Sequence, residues 1–278
     1  MAPKFSIIIP TYNRADGRLQ RALNSCLVQT YNGANDGNDY EVIVVDDGST
    51  DGTAALFEPG ASVYSLDRHF RYIRHEKRQG RVVARNTGMR IAAEEGEPDF
   101  MLWMDSDDCL DATYLATFAY YAQQNPEARL LVCGSVVHGQ VGEANNRICP
   151  AWSKIRQAWE PPTGPDGKYL PFGSGHVGTG SFVFARECYE KIGPMPDNWR
   201  HPDNIADGID EWLGYKFGTL GYGSGKYQRE VTDKPLVCQR GLGHVGNPWG
   251  DDFCYFAKLC QYYKVYLVPP ALYIQYTR

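Results

Sequence analysis

Strand and helix alternate without a break through the first half of the chain, and no other feature constrains the fold as much. "KFSIIIP" reads as a strand, and "DGRLQRALNSCLVQ" as a helix with Leu19, Ala22, Leu23, Cys26 and Leu27 on one face. "YEVIVVDD" is a second strand, "STDGTAALF" starts a helix under Ser49 or Thr50, and "FRYIRH" is a short third strand. "GRVVARNTGMRIAAEE" is a helix, "DFMLWM" the fourth strand, "DATYLATFAYYAQQ" a helix and "ARLLVCGSVV" the fifth strand. These strands are nearly continuous apolar runs, as strands covered on both faces must be. The expected architecture is therefore α/β, a Rossmann-type, mostly parallel sheet with helices on both faces.

In such sheets ligands sit beyond the carboxyl ends of the strands. The first strand ends at "PTYNR" (Pro10 to Arg14), the second at "DDGSTD" (Asp46 to Asp51) and the fourth at "DSDD" (Asp105 to Asp108). Each alone reads as a solvated turn, the last with Asp111 capping the next helix. Together on one edge they read as a site. Two carboxylates one residue apart, Asp105 and Asp107, suit a hard divalent cation that keeps water and phosphate oxygens as its other ligands. A nucleotide diphosphate is the natural third party. Tyr12 can stack on a base, Asp47 can accept from a ring N–H, Asp105 with Ser106 can meet ribose hydroxyls, and Arg81 can reach the base or a phosphate. The basic run from Arg68 to Arg90 either raises the positive potential there or forms a solvated helix face.

Composition removes several other classes. With 278 residues the chain can bury a sizeable core, and 43% hydrophobic with 22% charged residues is globular. A net charge of −5 argues against non-specific nucleic-acid binding. The eight cysteines show no C-x-x-C pair or zinc-like spacing and read as reduced, mostly buried thiols. No signal-peptide pattern precedes "KFSIIIP" and no run of 18 apolar residues occurs, so a cytoplasmic protein without a transmembrane segment is expected. "GTLGYGSGK" lacks the G-K-[ST] ending of a P-loop.

"FSIIIPTYNR", "YEVIVVDDGSTDGT", "GRVVARNTGMRIA" and "MLWMDSDDCLDATYL", in that order over about 135 residues, resemble the N-terminal half of the family 2 inverting glycosyltransferases of GT-A fold. The resemblance implies a nucleotide-sugar donor, usually a UDP-sugar, bound with Mn2+ or Mg2+ through a D-x-D motif. Here that motif is Asp105-Ser106-Asp107, with Asp107 as metal ligand and Asp105 and Ser106 on the ribose side. Pro10, Thr11, Tyr12 and Asp47 match the family's base-binding positions, and Arg14 and Arg81 join them as nucleotide-sugar candidates.

The second half departs further from the family. "GTGSFVFARECYEKIGPMPDN" resembles the strand and short helix near the acceptor site, and "GIDEWLGYKF" resembles the family's E-D-x-x-L-x-x-R-L motif. On that match Asp210 is the catalytic base, Leu213 the apolar anchor and Lys216 replaces the usual Arg, while Ile209 stands where an acid is usual. "WGDDFCYFAKLCQYYKVYLVPPALYIQY" offers a rival acid, Asp252, with Lys258 six residues on. His244, after "DKPLVCQRG", is either the metal-binding His that family members often carry there or a loop histidine. The Pro-, Gly- and Trp-rich stretch from Cys149 to Gly180 reads as a long loop across the site mouth, with Trp152, Trp159 and His176 on the acceptor side.

The expectation is one GT-A-like domain over 1–278, with residues 1–135 binding the nucleotide-sugar and an elaborated half, 136–278, binding the acceptor and supplying the base. The expected reaction is metal-dependent inverting transfer of a sugar to a hydroxyl whose identity is open. The alternatives are a nucleotide-sugar-forming nucleotidyltransferase and a non-catalytic nucleotide- or sugar-binding module.

Overall fold

The computed structural model describes residues 2–31, 39–138, 158–159, 179–195, 255–256, 258–259 and 262–276. Its elements are β1 (Phe5–Thr11), α1 (Arg18–Leu27), β2 (Tyr40–Asp46), a 3-10 turn (Ala54–Phe57), the single-turn α2 (Val63–Leu66), β3 (Phe70–Arg74) and α3 (Arg81–Ile91). After a π-helical turn at Ala92–Gly96 follow β4 (Phe100–Trp103), β5 (Cys109–Leu110), α4 (Tyr114–Gln124), β6 (Leu130–His138), β7 (Ala158–Trp159), β8 (Phe182–Ala185), α5 (Arg186–Ile192) and β9 (Val265–Tyr276).

The strands form one sheet in the order β3-β2-β1-β4-β8-β6-β9-β5, with β7 also paired to β9. β1 to β4 are mutually parallel, as the βαβ rhythm predicts. Beyond them the sheet is mixed: β8 lies antiparallel between β4 and β6, β6 and β9 are parallel, and β5 and β7 run antiparallel to β9. Antiparallel neighbours such as β6 and β8 need no crossover helix. The β6–β9 register breaks opposite Cys133–Ser135, where Pro269 and Pro270 have no N–H to give the ladder.

Burial follows the apolar pattern. Ile7, Ile8, Ile9, Val42, Ile43, Val44 and Val45 are fully buried at the centre, and α1 buries Leu19, Ala22, Leu23 and Cys26 at helical spacing in the same core. Each Val, Ile or Leu among them is worth about 1.5–3 kcal/mol on complete burial. Trp103, at the end of β4, meets Phe182, Phe184 and Tyr255 edge-on at centroid distances of 5.6, 5.7 and 4.8 Å, joining the strands across β4 and β8 to the C-terminal part. The helix expected from "STDGTAALF" shrinks to the 3-10 turn after Thr53. Its capping groups are already engaged: Asp46 binds the Ser49 N–H and hydroxyl, and Asp51 binds those of Thr53.

Cys26, Cys109, Cys133 and Cys188 are free and buried, matching the sequence reading for the cysteines described. Burial pushes the Cys26, Cys133 and Cys188 thiols up to about 12. Against an ordinary thiol near 8.5, that leaves on the order of 10³-fold less thiolate at pH 8. Iodoacetamide should therefore leave these three untouched in the folded chain and alkylate them in urea, as peptide mass spectrometry can check. Rapid alkylation without denaturant would contradict the packing. Among the described residues no helix is long and apolar enough to cross a membrane.

Candidate active site

The register β1–β2 pairs Thr11 with Asp46, and β1–β4 pairs Ile8 with Trp103, so the three loops leave the sheet side by side. They are stitched together. Asn13, in the left-handed region at φ 51°, gives its N–H to Ser49 Oγ at 2.9 Å and accepts the Thr50 N–H on its side-chain oxygen at 2.8 Å. The Arg14 N–H reaches Thr53 Oγ1 and the Ala15 N–H reaches Asp51. "PTYNR" and "DDGSTDGT" are thus one hydrogen-bonded platform.

The two aspartates ending β2 have separate tasks. Asp46, fully buried, accepts from Ser49 and from the Tyr72 hydroxyl and is structural. Asp47 turns the other way: Oδ1 accepts the Gln79 N–H at 2.8 Å and faces His75 Nδ1 at 3.0 Å, and Oδ2 accepts the Gly80 N–H at 2.7 Å. It therefore anchors the segment entering α3. By lone-pair count Oδ2 keeps one acceptor position. The anchored segment brings the Arg78 guanidinium over the Tyr12 ring at 4.3 Å. Gly48 makes the approach possible: at φ +74° its backbone runs so close to residues 77 and 78 that a Cβ would lie 2.8 Å from Arg78 N.

Beyond β4, ligand oxygens of Asp105, Asp107 and Asp108 all lie within 4.8 Å of one another. Asp105 is held from below. Arg85, on α3 with its side chain only 1% exposed, donates from Nη2 to Asp105 Oδ1 at 2.8 Å and to Thr179 Oγ1 at 3.2 Å. The Thr179 hydroxyl donates to Asp105 Oδ2 at 3.3 Å, and the Arg85 guanidinium lies 5.2 Å from the Trp103 ring centre. Asp108 is buried and accepts the Tyr273 hydroxyl at 2.6 Å and the Tyr276 N–H at 3.0 Å. Burial, with the neighbouring charges of Asp105 and Asp107, pushes its carboxyl up to about 7 against the pull of those two donors. Asp107 is half-buried and faces Arg14 Nη2 at 3.4 Å and Arg18 Nη1 at 3.8 Å, both longer than a strong charge-assisted bond. Three crowded carboxylates offering only oxygen suit a hard divalent ion such as Mn2+ or Mg2+.

Of the residues singled out from sequence, Tyr12, Arg14, Asp47, Asp105, Ser106 and Asp107 gather at this edge. Pro10 is in β1 itself and Ser106 is buried. Thr11 is buried with its hydroxyl unpartnered. Arg81 is the exposed first residue of α3. Arg14 turns to Asp107 and so stands with the acidic cluster. Asp210, Leu213, Lys216, His244, Asp252, Trp152 and His176 lie outside the described residues, and Trp159 is placed only as part of β7. The sequence reading missed Arg85, Thr179, Arg78 and, in β9, Tyr273 and Tyr276. Arg85 carried a signal: it falls at helical spacing between Val82 and Met89, on the face that packs on the sheet, where an arginine needs a partner.

The model of the family described as glycosyl transferase family 2 matches residues 6–193, from the second residue of β1 to the end of α5. The chain belongs to glycosyl transferase family 2. It is 31% identical over 123 residues to the poly(ribitol-phosphate) beta-N-acetylglucosaminyltransferase TarP of Staphylococcus aureus, covering 44% of this chain and 34% of that protein. It is 34% identical over 105 residues to the glycosyltransferase AglE of Haloferax volcanii, covering 38% and 31%. The chain thus spans about a third of the length of either relative. The crystal structure of S. aureus TarS 1-349 superposes with a TM-score of 0.59 at 17% identity, over 98% of this chain and 60% of that one. The same TarS fragment in complex with UDP-GlcNAc gives a TM-score of 0.55 at 17% identity, over 99% and 59%. At that identity the likeness speaks for the fold, and the GT-A-like expectation holds for this family 2 chain.

Proposed function

We propose that this chain transfers a sugar with inversion from a nucleotide diphosphate donor, a UDP-sugar first among them, to an acceptor hydroxyl, with Mn2+ or Mg2+ held through Asp107. The observation that carries the reading is the cluster of three carboxylates within 4.8 Å beside a stitched loop platform that presents Tyr12. Family membership supports sugar transfer over the nucleotidyltransferase and the non-catalytic module. The UDP-GlcNAc complex of the similarly folded TarS favours uracil among the bases.

Each residue then has a task. Tyr12 stacks on the base, the open acceptor position of Asp47 takes the ring N–H, and the unpartnered Thr11 hydroxyl lies on the same strand end. Asp105, fixed by Arg85 and Thr179, meets the ribose. Arg14 and Arg18 add positive charge beside Asp107. Asp107 would hold a divalent ion there, and that ion would supply positive charge to the diphosphate leaving group. Asp210 takes the proton of the attacking hydroxyl, with Asp252 the rival for that task, and His244 is the candidate further ligand.

Nucleotide choice tests the reading. Asp47→Ala removes both the ring contact and the anchor of residues 79 and 80, so UDP affinity by titration calorimetry should fall by about tenfold or more, the worth of a hydrogen bond to a charged group. Affinity equal to the parent's would put the base elsewhere.

A further inference from the structure

The family match ends at residue 193, yet β9, residues 265–276, reaches the acidic loop at three points. The Tyr273 hydroxyl donates to Asp108 Oδ2 at 2.6 Å, and the Tyr276 N–H donates to Asp108 Oδ1 at 3.0 Å, so both oxygens of Asp108 are held by one strand. The third point passes through α1. Arg21 places its guanidinium 3.7 Å from the Tyr276 ring centre and donates from Nη2 to the Asp107 carbonyl at 2.7 Å. The short β5 adds a ladder to the same strand, pairing Cys109 with Ile274 and Leu110 with Tyr273. The backbone that carries Asp107 is therefore held at its own carbonyl and at both following residues.

We propose that β9 positions the diphosphate-binding loop, with Tyr273 and Arg21 as positioning residues that hold Asp107 in its ligating conformation. Tyr273 suits the task because it cannot move. It is fully buried, and it lies against Gly180, where a Cβ would come within 2.2 Å of its ring. Gly180 is itself fixed by the Tyr114 hydroxyl on its carbonyl at 2.7 Å. The chain from α4 through Gly180 and Tyr273 to Asp108 has no freely rotating member. Arg21 adds a planar group clamped between an aromatic face and a carbonyl, a geometry that lysine does not reproduce. Neither residue touches the donor in this account. Both act on how well Asp107 is preset, as groups behind a ligand do.

The inference rests on the reading of Asp107 as metal ligand, and the test separates the two. UDP is titrated calorimetrically into the purified full chain, once with Mn2+ and once with EDTA, and the ratio of the two affinities is compared between variants. Asp107→Ala should bring the ratio to one; if it keeps the parent's ratio, the metal reading fails and takes this inference with it. Given that control, Tyr273→Phe, which removes one oxygen, should lower the ratio by about 10–100-fold, the usual cost of losing a group behind a metal ligand, while affinity in EDTA stays put. A purely structural tyrosine would lower the melting temperature without moving the ratio. Arg21→Met keeps the aliphatic stem of a half-buried residue and should move the ratio the same way. It decides alone if Tyr273→Phe does not fold. Ratios within about twofold of the parent's in every variant that folds would overturn the proposal.

Discussion

Replacing Asp107 with Ala is expected to abolish the metal-dependent part of donor binding while leaving the fold in place. The side chain is 20% exposed and its contacts with Arg14 and Arg18 are 3.4 and 3.8 Å long. Ion pairs of that kind contribute about 0–1 kcal/mol, so the melting temperature should hardly change. The loop itself is fixed through Asp108 and the Asp107 carbonyl, neither of which the substitution removes. What disappears is one carboxylate of the acidic cluster and the ion-pair partner of Arg14, while Arg18 keeps its pair with Asp16. Nucleoside diphosphate affinity measured with Mn2+ should drop to the EDTA value. Donor binding by the variant that still responds to Mn2+ as the parent does would remove Asp107 from the account.

Asp210→Asn is expected to leave donor affinity intact and slow transfer by about 10²–10⁴-fold, the range for a general acid–base group. The amide keeps the size and most of the hydrogen bonding of the carboxylate but cannot take the acceptor's proton. An in-line inverting attack needs one base within about 3 Å of the acceptor oxygen, on the face away from the diphosphate. Both candidates lie outside the described residues, so the choice rests on the motif: Asp210 follows the β8–α5 segment at the family's usual separation, and Asp252 comes about forty residues later. Asp252→Asn should therefore cost little beyond local stability. Single-turnover transfer by the two variants checks this, and a larger loss at Asp252 would exchange their tasks.

Much of the first half of the chain was legible because its signals are local. Five apolar runs at βαβ spacing became β1 to β4 and β6, and the rule of strand carboxyl ends collects Tyr12, Asp47, Asp105 and Asp107 on one edge. The rest depends on contacts distant in sequence. Nothing near Asp108 announces that its partners are Tyr273 and Tyr276, 165 and 168 residues on. The antiparallel insertion of β8 between β4 and β6 has no local mark either, since "FVFA" would serve a strand of either direction. The "DDG" turn divides its work in a way that periodicity does not show. Periodicity treats Asp46 and Asp47 alike, but successive side chains of a strand point to opposite faces, so one became a loop cap and the other the anchor of residues 79 and 80.

Release of UDP from a panel of UDP-sugars by the purified chain, with Mn2+ and with excess EDTA, tests the central claim most directly. At least one sugar nucleotide should be cleaved or transferred with Mn2+, the rate should vanish in EDTA, and it should vanish equally in Asp107→Ala. Equal turnover in EDTA, or no turnover of any sugar nucleotide with the metal present, would contradict the account.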